Sequence, residues 1–501
     1  MTESDNSKPT VKDSNNSPTG PIGANESSLI ETLNSRISDY HQIEDIALIM
    51  LSVLSMSYGS LVLFNTGPLN VDVKSTVTTF GYTPPITAMV ICLILYGIGL
   101  FCLLSVGSDW SPRLSSLSWV LTGFYAAVGV IFHYFVFDSP RVRENAQGGK
   151  TDAYVLQREG AAQFLNGNNP YQYDYSDRIL SEVPGYFRTP LSPAFGPEDL
   201  TEPINIVTSL DYPPISFLWY VPSEILGIPG AIQDIAAIAL IMIVLLVVTP
   251  KSLRLIVPIF FMLNWNMILF PASFVPDMAW VFFVVAAIFT VHYPKTNAII
   301  WAFAASYRPQ PILIASFFAI FVYKEFGIEY IKQWVPTGLA CTALINLPFA
   351  IWTGFSSYWT YITLPIRITI PPGGIGPAMI FSTDLVSETA ATSGIHSLFS
   401  YAVFGVWALS LIGLFVYYDQ LGVGGLAFPG LALWFHWRSF ENYLIWMPLL
   451  VFAAYIVGFP HRNPIHLLSL RVQVAHTAIR ERLRRLWSQE KSVPASTKNQ
   501  K

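Results

Sequence analysis

The sequence predicts an all-α membrane protein with about twelve transmembrane helices. Of its 501 residues, 52% are hydrophobic, 14% are aromatic and only 12% are charged, whereas about a quarter of the residues of a soluble domain are charged. The hydrophobic residues form long blocks rather than one face of amphipathic segments, and about 20 such residues cross a bilayer as a helix. A single large membrane domain is therefore predicted instead of several soluble ones.

Blocks of this kind recur twelve times along the chain. The predicted spans are 46–64, 87–106, 115–136, 213–228, 231–249, 253–271, 274–291, 297–323, 331–352, 397–417, 422–436 and 441–458. Two long polar stretches, 137–212 and 353–396, each follow an odd number of spans. Both are therefore predicted on the face of the membrane opposite the two termini.

Basic residues near the last span set the predicted orientation. They are Arg462, Arg471, Arg480, Arg482, Arg484, Arg485 and Lys491. Because short cytoplasmic segments carry an excess of Lys and Arg, both termini are predicted in the cytoplasm, the chain in the cell (plasma) membrane, and the long loops outside. Lys251, Arg254 and Lys295 fall on the outer side in this count, so a broken or re-entrant segment between 213 and 323 is an alternative.

Three regions follow from this organisation. Residues 1–44 are rich in Ser, Asn, Thr and Pro and form a predicted disordered cytoplasmic tail, whose last part is either a short amphipathic helix or a linker. Residues 45–458 form the transmembrane domain with the long outer loops 137–212 and 353–396. Residues 459–501 form a basic amphipathic cytoplasmic tail, either lying on the inner leaflet or solvated.

Two motifs occupy the first long loop. Thr151 or Asp152 follows Gly148-Gly149-Lys150 and is suited to cap a short helix on the outer membrane surface, which ends near Gly167. Asn169-Pro170-Tyr171 then predicts a turn. An Asp at such a position is explained by capping alone, and the residues by themselves favour that explanation.

Two further motifs lie at or within predicted spans. Asp211-Tyr212-Pro213-Pro214 opens the fourth span, where prolines cost little and a tyrosine suits the interface. Tyr307-Arg308-Pro309-Gln310-Pro311 interrupts an apolar block, so its prolines break the helix. An arginine at that depth needs an anion or a watery cavity, which leaves a phosphate site or an ion pair with Asp277 or Asp234.

Taken in order, these motifs carry a resemblance to a known family. An Asp on a surface helix after a span, a Gly-x-Asn-Pro-Tyr turn, a Tyr-Pro-Pro helix start and a basic Pro-Gln-Pro segment resemble the GT-C superfamily of membrane glycosyltransferases. Within it, residues 115–396 are most similar to the polyprenol-phosphate-mannose-dependent mannosyltransferases and their uncharacterised prokaryotic relatives. The resemblance implies a hexosyltransferase that moves a sugar, commonly mannose, from a polyprenyl phosphate to a lipid-linked or glycan acceptor at the outer face.

The resemblance also implies roles for individual residues. The position that matches the family's catalytic base is Asp152, and Arg308 stands where many relatives have a phosphate-binding lysine. Arg158 and Arg367 are further candidates for the donor phosphate. The residues expected to contact substrate are Tyr154, Asp211, Tyr212, Gln310 and His396, the last because histidine titrates near neutral pH.

The expected ligands follow from the same comparison. No cofactor is predicted, and a requirement for a divalent metal is left open because no paired acidic ligands accompany Asp152. No Gly-rich phosphate loop is present, which favours a lipid-linked donor over a nucleotide sugar. The expected partners are a polyprenyl-phosphate sugar, a glycolipid or glycan acceptor and membrane lipids, without nucleic acid.

Two other classes of function share parts of this pattern. A twelve-span secondary transporter also explains a broken helix within the bundle, but the two halves of the chain lack long outer loops at equivalent positions. A glycan-lipid flippase or an assembly subunit without activity is the remaining alternative.

Overall fold

Helices dominate the computed structural model, which describes part of the chain. Described are residues 150–183, 189, 206–250, 253–264, 266–272, 274–364, 373–374, 376–378, 395–436, 438–439 and 441–459, with parts of 46–57, 93–100, 123–131 and 463–480. Within these residues the predicted all-α class is confirmed. The only strands described are the two-residue β1 (Gly373–Gly374) and β2 (Arg438–Ser439), which pair in parallel.

The helices between residues 152 and 457 are numbered along the chain. They are α1 (Asp152–Leu165), α2 (Ser176–Glu182), α3 (Ile215–Leu218), α4 (Val221–Leu226), α5 (Gly230–Val248), α6 (Ile256–Leu263), α7 (Asn266–Ala272), α8 (Met278–Phe289), α9 (Pro294–Ala305), α10 (Gln310–Phe326), α11 (Ile328–Thr353), α12 (Phe355–Ile362), α13 (Ile395–Val416), α14 (Tyr418–Leu421), α15 (Phe428–Trp434), α16 (Glu441–Leu444) and α17 (Met447–Val457), with a 3-10 helix at Gly422–Ala427.

Two of the described helices are long and apolar enough to cross a membrane. Helix α5 has 19 residues, and an 18-residue stretch of it has a mean hydropathy of 2.7. Helix α11 has 26 residues, and an 18-residue stretch of it has a mean hydropathy of 1.4. A third span results if Tyr401–Val416 and Tyr418–Trp434, which meet at 90°, count as one broken element. These helices are compatible with a membrane protein, and among the described residues they support two or three of the twelve predicted spans.

Helix α5 separates two ends of the bundle. At its start, the amide of Gly230 donates a hydrogen bond of 3.1 Å to the hydroxyl of Tyr154 in α1. At its other end, Arg471 Nη1 donates to the carbonyl oxygens of Val247 and Thr249. Nineteen helical residues rise by about 28 Å. We call these the Asp152 end and the tail end.

The helices after α5 run back and forth between these two ends. At the Asp152 end, Thr151 Oγ1 donates to the carbonyl oxygen of Phe274, just past α7, and Asn169 Nδ2 donates to Thr353 Oγ1 at the end of α11. At the tail end, Asn463 Nδ2 donates to the Tyr293 hydroxyl before α9. Each of α8, α9, α10 and α11 therefore joins one end to the other.

The prediction of a span at 213–228 is wrong. This segment forms α3 and α4, of four and six residues, and both helices pack on α1 at the Asp152 end. Pro222 starts the second helix, and Gly227 ends it with a φ of +64°, a left-handed conformation that glycine adopts without strain. The chain thus turns back before it enters α5.

Asp234 fastens this short segment to α5. Its carboxylate accepts hydrogen bonds from Trp219 Nε1 at 2.8 Å and from the Tyr220 hydroxyl at 2.9 Å. The side chain is fully buried, and a buried carboxylate needs such donors. Asp234 therefore explains why two short helices stay beside a long apolar one.

The break predicted at Pro309 and Pro311 is confirmed, because two helices occupy the block 297–323 that was counted as one span. Helix α9 ends at Ala305 and α10 starts at Gln310. In the break between them, the carbonyl oxygen of Ser306 accepts from the amide of Ile215 at 2.9 Å. The Ser306 side chain adds a second contact, because its Oγ accepts from Asn346 Nδ2 at 2.9 Å. Such partners are what unwound backbone needs inside a membrane bundle.

Several predictions fall beyond the described residues. These are the tail 1–44, most of the first three spans, Arg367 and most of the basic tail. The backbone of His396 lies in α13, but its side chain is outside the description.

Candidate functional site

Four segments that are far apart in the sequence meet at the Asp152 end. They are the start of α1, residues 211–214, residues 274–277 and the break at 306–309. Hydrogen bonds join the first to the third through Thr151 and Phe274, and the second to the fourth through Ile215 and Ser306. The fold therefore brings together the Asp152, Tyr212 and Arg308 motifs.

Asp152 lies in the first turn of α1. The cap of this helix is Thr151, whose Oγ1 accepts a hydrogen bond of 3.2 Å from the amide of Tyr154. The Asp152 carboxylate accepts from the amides of Ala153 at 2.7 Å and Thr189 at 2.6 Å, and the residue is 7% exposed. A carboxylate has about four lone-pair positions, so it keeps acceptor capacity beyond these two bonds.

Arg308 forms a buried ion pair with Asp277. Its Nη1 contacts Asp277 Oδ1, and the two side chains are 5% and 0% exposed. Trp280 Nε1 donates to the same carboxylate oxygen at 3.2 Å. Of the two carboxylates expected from the sequence as partners for Arg308, the structure uses Asp277, while Asp234 binds Trp219 and Tyr220.

The rest of the Arg308 guanidinium lies among aromatic rings. Its Cζ is 5.1 Å from the ring centroid of Tyr212 and 6.0 Å from that of Tyr307. Its Nε is buried and has no hydrogen-bond partner among the described residues. A buried donor without a partner costs about 1–3 kcal/mol, so an acceptor that reaches this nitrogen is favoured.

Tyr212 connects the acidic and the basic parts of the site. Asp211 precedes it directly in the chain, and the Arg308 Cζ lies 5.1 Å from its ring centroid. Asp152 lies near the same region, because the neighbouring Thr151 donates to the carbonyl oxygen of Phe274, three residues before Asp277.

The Tyr307 hydroxyl joins the broken helix to α1. It lies 2.9 Å from the side-chain oxygen assigned to Gln157 and also contacts the carbonyl oxygen of Pro276. One hydroxyl has one proton for two acceptors, and the Gln157 nitrogen is buried without a partner. If the Gln157 amide is turned by about 180°, its nitrogen donates to the Tyr307 hydroxyl, which then donates to the carbonyl oxygen of Pro276.

The Asn-Pro-Tyr turn holds the loop against the helices. Asn169 Oδ1 accepts from the amide of Tyr171 at 3.0 Å, and the Tyr171 hydroxyl donates to the carbonyl oxygen of Tyr212 at 2.8 Å. The Tyr171 ring lies 5.0 Å from that of Tyr358, whose hydroxyl donates to Asn346. The turn thus fixes the position of the Tyr212 backbone, and with it the ring beside Arg308.

Ion pairs cover the outer side of α1. Arg158 Nε donates to Glu224 Oε1 at 2.7 Å, and Lys150 pairs with Glu182. Burial alone would lower the pKa of Arg158, but the hydrogen bond and charge of Glu224 raise it above its usual value. Burial likewise opposes the shift at Glu182, where the hydrogen bond and charge of Lys150 hold the pKa below its usual value.

The remaining predicted residues occupy different surroundings. Tyr154 is 1% exposed and packs on the rings of Tyr220 and Phe274. Asp211 is 8% exposed, next to Tyr212. Gln310 is half-buried as the first residue of α10, and its Oε1 has no hydrogen-bond partner among the described residues. The predicted substrate contacts of these residues stay predictions.

One unusual backbone conformation supports the site. Phe274 has a φ of +62°, which is rare for a bulky side chain and costs of order 1–3 kcal/mol. Its carbonyl oxygen accepts the Thr151 hydrogen bond, and its ring lies 4.8 Å from Tyr154. The Phe-Val-Pro-Asp run thus links the start of α1 to Asp277.

The part of the chain that the structure describes holds no group of three His, Cys, Asp or Glu side chains arranged for a metal ion.

No protein-family model matches the chain, and no curated protein or solved structure is similar to it at a significant level. The proposed function therefore depends on the four sequence motifs and on the contacts among them at the Asp152 end.

The ion pair predicts a specific pattern of stability. Asp277→Ala leaves the Arg308 charge buried without its partner, which costs about 3–5 kcal/mol. Asp277→Leu combined with Arg308→Met removes both charges and recovers most of that loss. Reversible unfolding in mixed detergent micelles, followed by tryptophan fluorescence, measures the difference.

The exposed pair of Glu329 and Lys332 provides the control, because Glu329→Ala is expected to change stability little. A double variant as unstable as Asp277→Ala alone contradicts the explanation that the loss of stability comes from the unpaired Arg308 charge.

Proposed function

We propose that the chain is a GT-C-type membrane glycosyltransferase that moves a hexose, with mannose the family's usual sugar, from a polyprenyl phosphate to a lipid-linked or glycan acceptor. The observation that carries the proposal is that Asp152, in the first turn of α1, and the buried pair of Arg308 and Asp277 lie at the same end of the bundle, where residues 274–277 join them. A carboxylate and a guanidinium at one end of a bundle of apolar helices suit a reaction between a lipid phosphate and a hydroxyl.

Arg308 is suited to the donor phosphate. Guanidinium binds phosphate oxygens through two parallel N–H groups, and Arg308 has a buried Nε without a partner in the described structure. Asp277 holds the other side of the group. When the bond between sugar and phosphate breaks, charge collects on the leaving phosphate, and a fixed cation beside it stabilises the transition state.

Asp152 is suited to act as the base. The acceptor hydroxyl attacks the anomeric carbon, the new glycosidic bond forms as the bond to phosphate breaks, and the hydroxyl proton passes to the carboxylate. Positioned proton transfer of this kind contributes about 10²–10⁴ in rate. The amides of Ala153 and Thr189 fix the direction of the carboxylate.

Other residues take supporting roles in this proposal. Tyr212 and Gln310 line the approach to Arg308, and Asp211 and Tyr154 hold that approach in shape. Arg367 belongs to the predicted outer loop 353–396, and His396 lies at the start of α13. Arg158, which pairs with Glu224, is a further candidate for the phosphate.

In this proposal the chain still crosses the membrane twelve times, but two of the segments assigned to spans change. One span is lost at 213–228, and one is gained because 297–323 contains α9 and α10. Arg254 and Tyr293, the latter two residues before Lys295, then lie at the tail end. Lys251, Arg254 and Lys295, which fell on the outer side in the first assignment of spans, then lie on the cytoplasmic side. This agrees with the excess of Lys and Arg in cytoplasmic segments.

The transporter alternative is less well supported by the same contacts. Transporter sites lie near the middle of the bilayer, whereas Arg308 lies at the end of the bundle that also holds the start of α5 and the surface helix α1. A polyprenyl-phosphate sugar placed there meets an acceptor from outside the membrane.

The activity test compares the chain with Asp152→Asn. Purified protein with a labelled polyprenyl-phosphate hexose is expected to transfer label to a membrane glycan or glycolipid fraction. Asn cannot accept the proton, so turnover is expected to fall by about 10²-fold or more with a small change in KM for the donor. Thermal unfolding of both proteins shows whether the variant is folded.

Asp177→Asn is the matched control, since Asp177 is an exposed carboxylate in the same loop. It is expected to keep full turnover. Full activity of a folded Asp152→Asn protein disproves the role of Asp152, and passage of the intact lipid across the membrane without transfer supports a flippase.

Topology is tested with single cysteines in a cysteine-free background. Asn168→Cys lies at the Asp152 end and Gln473→Cys in the tail, and both positions are exposed. A membrane-impermeant maleimide is expected to label the first in intact cells and the second only after lysis. Labelling of both from one side contradicts the proposed arrangement.

A further inference from the structure

Two arginines meet at the tail end of α5. Arg471 Nη1 donates to the carbonyl oxygens of Val247 and Thr249 at 2.5 and 2.7 Å. Arg254 Nε donates to the same Thr249 oxygen at 3.3 Å. Because both guanidinium groups contact one oxygen atom, two positive charges are neighbours.

The two neighbouring guanidinium groups repel each other. Both side chains are half-buried, and Arg254 has no carboxylate partner within the residues that the structure describes. Burial lowers the pKa of Arg254. Burial and then the charge of Arg254 lower the pKa of Arg471 to about 10. Both shifts mean that the surroundings disfavour the charged forms.

The position of the pair matches a lipid headgroup. Helix α5 is apolar up to Val248, and the arginines bind at its last carbonyl groups, where a membrane-length helix leaves the hydrocarbon. On the tail side, Leu468 packs against the core, whereas Val472 and Val474 are exposed. Arginines beside exposed apolar side chains are typical of a segment at a membrane surface.

We propose that Arg254 and Arg471 together bind the phosphate of an anionic phospholipid headgroup at the tail end of α5. The phosphate accepts hydrogen bonds from the Arg254 N–H groups that do not face the Thr249 carbonyl, and its charge offsets the repulsion between the two arginines. The bound lipid holds the C-terminal tail against α5. This site is separate from the proposed glycosyl transfer and does not depend on it.

The test uses the full-length protein in neutral detergent micelles, titrated with phosphatidylglycerol or with phosphatidylcholine. Phosphatidylglycerol is expected to raise the unfolding temperature, measured by tryptophan fluorescence, more than phosphatidylcholine does. Arg254→Gln is expected to weaken the apparent affinity for phosphatidylglycerol about fivefold, the effect of removing one basic residue near an anionic headgroup. Arg254→Lys retains the charge and most of the affinity.

Arg480→Gln is the matched control, because Arg480 is an exposed arginine of the same tail, and it is expected to leave the lipid effect unchanged. Equal effects of the two lipids overturn the proposal, as does an Arg254→Gln protein that responds fully to phosphatidylglycerol. An equal shift with inorganic phosphate alone shows a free-anion site and overturns the assignment to lipid.

Discussion

The buried ion pair between Arg308 and Asp277 is the interaction on which the Asp152 end depends. Removing two charges from water costs several kcal/mol for each ion, so a pair at this depth persists only in good geometry with further partners. Trp280 supplies a hydrogen bond and Tyr212 an aromatic face. Asp277 precedes α8, and Arg308 lies between α9 and α10, so the pair fixes where three helices begin or end.

Other polar contacts extend from this pair and use few residues. Tyr307 connects the break to Gln157 of α1, Ser306 connects it to Asn346 of α11, and Tyr171 holds the backbone of Tyr212. In a chain with only 12% charged residues, this concentration of hydrogen bonds at one end is informative. Unwound backbone inside a bundle survives only where side chains or a cavity satisfy it, and such places commonly bind ligands.

The sequence predicted the local features of this region well. Capping preference predicted a helix start at Thr151 or Asp152, and Pro309 and Pro311 predicted the broken helix. It failed where tertiary contacts decide the outcome. Pro213 and Pro214 suit the start of any helix. Their spacing does not show that Asp234 binds Trp219 and Tyr220 and so keeps the following short helices at the Asp152 end. Likewise, Asp277 was one of two possible partners for Arg308, and only the tertiary fold brings the two side chains together.

A structure of the protein in a lipid nanodisc with bound polyprenyl phosphate tests the central claim most directly. The account predicts that the phosphate contacts the Arg308 guanidinium while Asp277 stays on its other side, with the Asp152 carboxylate directed toward the same ligand. A phosphate bound elsewhere, with Arg308 in contact only with Asp277, Tyr212 and Tyr307, contradicts it.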